Sequence, residues 1–149
     1  MGDEEILYRR VLYGKNHYRV DESGDVYLSS TAFADKTWRP SVDRAELCGH
    51  DPSFTQQNEE NAVVSVVCQD VREIDTVVEN DKKGRQVLRH RVDVLPDPWP
   101  DNAAHAIVAP IPDYRKPKQV FRRLLEALVR LAQQRPWEIL PWEIRRNIN

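Results

Sequence analysis

PKQVFRRLLEALVRLAQQ, residues Pro117 to Gln134, is the stretch that decides the fold. Val120, Phe121, Leu124, Leu125, Leu128, Leu131 and Ala132 recur at three- and four-residue steps, which stacks them into one wide apolar stripe on a helix. Arg122, Arg123, Glu126, Arg130 and Gln133 fall on the other side. Pro117 suits a first helical turn, where its missing N–H would have had no partner, and Pro136 stops the run. A stripe this broad needs a core, and the strands expected upstream offer the surface to receive it.

Those strands follow from alternation and turn chemistry. Ile6 to Leu12 reads as a first strand, and His17–Val20 with Asp25–Ser29 flank a glycine-closed loop, Asp21 to Gly24. Ser41 looks like a helix cap, with about two turns over residues 41–48 before Gly49. His50 to Glu60 is polar and reads as a loop. Ala62 to Cys68 lacks alternation, so it is expected to be buried on both faces. Val71–Val78 and Gln86–Leu95 then form a hairpin about Asn80–Gly84, with Leu88, His90, Val92 and Val94 on one face. Pro96 to Pro100 is too rich in proline to pair, and His105–Ala109 supplies a last short strand. The expected fold is α+β: one globular domain over 1–149, a mostly antiparallel sheet covered by a long C-terminal helix at 117–134, and a short helix at 41–48.

Composition excludes several classes. With 149 residues, 40% hydrophobic and 31% charged, the chain can build its own core. No apolar run approaches a membrane span, and the acidic start MGDEEILYRR is unlike a signal peptide. Ile6 stands where a myristoylation signal needs Ser or Thr. Cys48 and Cys68 are too few for a disulfide framework, so a cytoplasmic location is expected. Residues 115–149 hold nine Lys and Arg against three Glu, so a net +6 there leaves −8 for the rest of a chain of net −2. Basic side chains lining the solvent face of the helix explain that split; a surface for nucleic acid or an acidic partner, built on Lys118, Arg122, Arg123 and Arg130, is the alternative.

Signatures of chemistry are sparse. Cys48 and His50, with Cys68, His90 or His105, supply metal-ligand types at spacings that match no zinc pattern, and five scattered glycines exclude a phosphate-cradling loop. No metal or cofactor is expected. Ser29, Ser30, Ser41 and Cys48 are possible nucleophiles without a strand–turn–helix elbow around them. His105 lies among small residues that leave its imidazole reachable; with Asp101, His17 or His90 it could make an acid–base pair. The plainer reading is a partly buried histidine bonded to a backbone carbonyl. Tyr8-Arg9 on a first strand, Leu28-Ser29-Ser30-Thr31, and a late glutamate resemble the Arg, Ser-Thr-Ser and Glu elements of mono-ADP-ribosyltransferases. That resemblance implies that Arg9 would hold dinucleotide phosphates, Ser30 would orient the nicotinamide ribose, and Glu138 or Glu143 would complete catalysis. Without it, Ser29 to Thr31 is a strand end capped by its own hydroxyls.

Trp137 and Trp142 close together pin a terminus to the body or anchor a partner. On balance the sequence favours a small cytosolic subunit or adaptor that binds another protein, or itself, without catalysis. Its contacts would be Trp99, Arg122, Arg123, Arg130, Trp137 and Trp142. A dinucleotide-using transferase, a histidine-dependent hydrolase and a nucleic-acid-binding module are the alternatives.

Overall fold

The structure is a computed structural model, and it describes residues 1–74, 78–111 and 118–147. It is a mixed α/β fold with an antiparallel sheet and few helices. The chain runs through β1 (Ile6–Val11), the hairpin β2 (Tyr18–Val20) and β3 (Val26–Leu28), and a 3₁₀ turn at Ser30–Phe33. β4 (Ser41–Arg44), a second 3₁₀ turn (Ala45–Cys48), α1 (Ser53–Gln56), β5 (Ala62–Val67) and α2 (Cys68–Arg72) follow. β6 (Val78–Asn80), β7 (Gln86–Arg89), β8 (Arg91–Pro96), β9 (His105–Ile111), α3 (Lys118–Gln133) and α4 (Trp142–Arg145) complete it. The main sheet has the order β5-β1-β4-β9-β8, and β2-β3 and β6-β7 stand apart as two-stranded ribbons.

Alternation gives the main sheet one apolar face. Leu7, Val11, Val42, Val64, Val66, Val92, Val94, Ala106 and Val108 share one cluster with Val120, Leu124, Leu125, Leu128 and Ala132 of α3. Each of the valines and leucines contributes about 1.5–3 kcal/mol by leaving water. α3 has its expected stripe, but it packs most extensively on the Ser30–Phe33 turn, then on β5. Its far end is tied to β3 by Gln133, whose side chain accepts from Leu28 N–H at 2.9 Å and donates to the Val26 carbonyl at 3.0 Å. Pro117, expected to open this helix, lies outside the described residues. None of the described helices is long and apolar enough to cross a membrane.

Several local expectations are corrected. The helix expected at 41–48 is strand β4 followed by a 3₁₀ turn, because Ser41–Asp43 pair with Ile107–His105 and Val42 fills the apolar face. Gly49, at φ +66°, ends that turn as anticipated. Val71 lies in α2 rather than in a strand, its side chain fully buried in the main cluster. The strand expected over Gln86–Leu95 breaks at His90: β7 stays in the β6 ribbon, exposed throughout, and β8 crosses into the main sheet. The loop at 50–60 encloses the single turn α1. Pro96 pairs after all, opposite Ala106 on the edge strand β8.

β5 is an edge strand with both faces buried, and the C-terminal segment protects its open side. Val63 N–H donates to the Ile139 carbonyl at 3.1 Å, and Glu138 N–H donates to the Val63 carbonyl at 2.9 Å. Arg145 reaches the Asn61 carbonyl at 3.0 Å, and Tyr18 donates its hydroxyl proton to Glu143 at 2.5 Å. Trp137 packs against the main cluster and meets Tyr18 edge-on at 6.1 Å.

Candidate functional site

The opposite face of the sheet carries a polar row fixed by register. Tyr8 pairs with Ser65 and Asp43, and Asp43 pairs with His105, so four neighbouring strands set these side chains side by side. The Asp97 N–H bonds to the His105 carbonyl at 2.9 Å and extends the row.

β1 is paired with β5 along its whole length but with β4 only at Leu7–Arg44 and Tyr8–Asp43. Beyond Tyr8 and Asp43 the two strands fork. A cleft of about 440 Å³ opens there, within the range of small-molecule sites. The fork is bridged by Arg9. Its guanidinium donates to the carbonyls of Ala32 (3.0 Å), Ser41 (2.8 Å) and Ala34 (2.9 Å) and lies over Phe33 at 5.7 Å. Burial lowers its pKa to about 10, against the opposing pull of Asp35.

His105 is 4% exposed and stacked beneath Trp99, with ring centroids 3.7 Å apart and planes at 22°. Nδ1 lies 2.8 Å from the Asp97 carbonyl and 3.2 Å from Asp97 Oδ2. A carbonyl only accepts, so the proton is assigned to Nδ1. In the neutral ring Nε2 then presents its lone pair to Ser41 Oγ, 3.1 Å away. Ser41 Oγ also stands 3.1 Å from Asp35 Oδ2. One hydroxyl proton therefore serves two acceptors. Asp35 is held ionised: burial opposes the charge, but hydrogen bonds from Thr37 and Ser41 and the nearby Arg9 outweigh it.

Neighbouring groups are similarly committed. Asp43 accepts from Asn102 at 2.9 Å and from Thr55 at 2.7 Å. His17 Nδ1 accepts the Leu12 N–H at 3.1 Å, and its pKa is lowered by burial, then by Arg9 and Arg10. It is a neutral ring. The Tyr8 phenol is raised by burial first and by Glu138 next, so it keeps its proton.

Among the residues expected to carry function, Arg9, Trp99 and His105 line the cleft together. Ser30 lies in the 3₁₀ turn; beside it the Ser29 and Thr31 hydroxyls donate to the distant Asn16 carbonyl rather than capping their own strand end. Glu138 belongs to the segment on β5 and Glu143 to the bond with Tyr18, so neither joins Arg9. Arg9 spends its hydrogen bonds on main-chain carbonyls. His90 is buried beside Glu79 at 3.4 Å, away from His105. On α3, Arg122 and Arg130 are exposed and Arg123 half-buried; Trp137 and Trp142 are half-buried, with Trp142 beneath Arg145 at 5.5 Å. Among the described residues no group of three or more His, Cys, Asp and Glu is placed to hold a metal ion. Asp35, Asp43 and Asp97 were missed as site residues, and Ser41 was named only as one of four possible nucleophiles. The alternation Ser41-Val42-Asp43 carried the signal, since as a strand it puts both polar side chains on one face.

The chain matches no protein-family model, and comparison with curated proteins and with solved structures finds no match.

Proposed function

We propose that the chain is an enzyme of the hydrolase or group-transfer kind, with its reaction centre in the fork between β1 and β4. The observation that supports this best is one imidazole bonded at Nδ1 to Asp97 and facing the Ser41 hydroxyl at Nε2. Nucleophile, base and orienting group stand in the relation that nucleophilic catalysis requires. His105 takes the Ser41 proton as Oγ bonds to an electrophilic carbon or phosphorus. The imidazolium then faces the Asp97 carboxylate at 3.2 Å and returns its proton to the departing group. Water, deprotonated by the same ring, releases the product and restores the serine. Covalent labelling tests the nucleophile. A fluorophosphonate should add one phosphonyl group to Ser41 with loss of fluoride, and Ser41→Ala or His105→Ala should abolish the adduct. Intact-mass measurement showing no adduct on a folded chain would refute the nucleophile.

A non-catalytic, protein-binding role is the second reading, supported by exposed Arg122 and Arg130 on α3. It draws less from the tryptophans, since Trp137 is packed on the core and Trp99 on His105. A chain that elutes alone from its native host would count against it.

A further inference from the structure

Trp99 is 49% exposed, while one ring face is taken by His105. The turn that carries it is closed by the Trp99 N–H donating to the Asn102 carbonyl at 2.9 Å and the Asn102 N–H returning to the Trp99 carbonyl at 3.1 Å, and the His105 stack sets the ring. A half-open indole on the wall of a cleft is a stacking platform for a planar ring. The same cleft is lined by Arg10 and Lys36. Register puts Arg10 two residues beyond Tyr8, across the fork from Ser41. Neither the Arg10 nor the Lys36 side chain makes a hydrogen bond or ion pair among the described residues, whereas Asp35 and Asp43 are each bonded by neighbouring side chains. The carboxylates are occupied and the two cations are available.

From these observations we infer that the cleft takes a small anion bearing a planar heteroaromatic ring, of the nucleoside monophosphate class, with the ring on Trp99 and the anion at Arg10 and Lys36. The inference rests on the same cleft as the proposed reaction centre but not on Ser41 being a nucleophile. The test is calorimetric titration with adenosine 5′-monophosphate, adenosine and ribose 5-phosphate in parallel. The monophosphate should bind at least about tenfold more tightly than either fragment, because stacking and charge each contribute. Trp99→Ala should cost about tenfold for the monophosphate and leave ribose 5-phosphate unchanged, and Trp99→Phe should restore most of the loss. Arg10→Ala with Lys36→Ala should remove the weakening by salt. Equal affinity for the monophosphate and ribose 5-phosphate, or indifference to Trp99→Ala in a chain of normal circular dichroism, would overturn the inference. Binding without a fluorophosphonate adduct on Ser41 refutes the hydrolase reading alone, and an adduct without ring-dependent binding refutes this inference alone.

Discussion

Replacing Arg9 by alanine should cost about 3 kcal/mol of stability. Three main-chain carbonyls lose a charged donor, and two of them, Ala32 and Ser41, sit in part-buried surroundings at 3.0 and 2.8 Å. At about 1.5–3 kcal/mol for a bond to a charged group, those two are worth roughly 3–6 kcal/mol. The Ala34 carbonyl is exposed and rehydrates, so it adds little. The contact over Phe33 adds about 0.5–1 kcal/mol. Against this, removing the guanidinium relieves its burial. A pKa brought down to about 10 places that relief near 3 kcal/mol, and the space left by the side chain claws part of it back. The balance is about 2–4 kcal/mol. For a chain of this length it lowers Tm by roughly 6–12 °C. Urea unfolding followed by tryptophan fluorescence and circular dichroism reads it out. Arg9→Met separates the causes, since it refills the space without offering donors and should remain almost as damaging. A loss below about 1 kcal/mol in Arg9→Ala, or full recovery in Arg9→Met, would refute the view that this side chain bridges the fork through hydrogen bonds.

Stability should fall as pH drops from about 7 towards 5, because His17 is held neutral in the folded state and its lowered pKa leaves the unfolded chain binding the extra proton first. That contribution is present above the ordinary histidine pKa and is lost as pH falls through the folded value; His17→Asn, which can still accept the Leu12 N–H, should flatten the slope in a urea series, and an unchanged slope would exclude His17 as its source. Asp35 acts at lower pH in the same sense: its stabilisation is present above the ordinary carboxylate pKa and is lost as acid titrates the folded group. Deleting residues 136–149 should expose the open edge of β5 and promote aggregation, seen by light scattering at micromolar concentration. A truncated chain that stays monomeric and as stable as the whole would show that the segment does not protect that edge.

Local pattern alone determined α3, β1, the β2–β3 hairpin and the buried character of β5, because each carries enough periodic apolar residues or turn chemistry to settle its own conformation. The Asp21 and Asp81 loops show how local that determination is: in each, one carboxylate oxygen accepts the N–H groups two and four residues on, with glycine between them. Residues 41–48 behave otherwise. Their apolar spacing suits a short helix, but pairing with β9 on one side and β1 on the other satisfies four residues' backbone groups that a two-turn helix would leave half unpaired. The strand break at His90 and the helical start of α2 were likewise decided by where the main sheet ends.

The site followed the same division. The bond from His105 to a carbonyl was anticipated, but the imidazole expected to be reachable is buried beneath Trp99, and neither Ser41 nor Asp97 can be assigned to it from spacing. They come from strand β4 and from the turn after β8, 64 and 8 residues away in sequence. Residue types and local periodicity set which segments become strands and helices; cross-strand register and the fork at Tyr8 and Asp43 set which polar side chains share a cleft. Register depends on pairings between distant segments, and those are chosen by the burial of the whole apolar face.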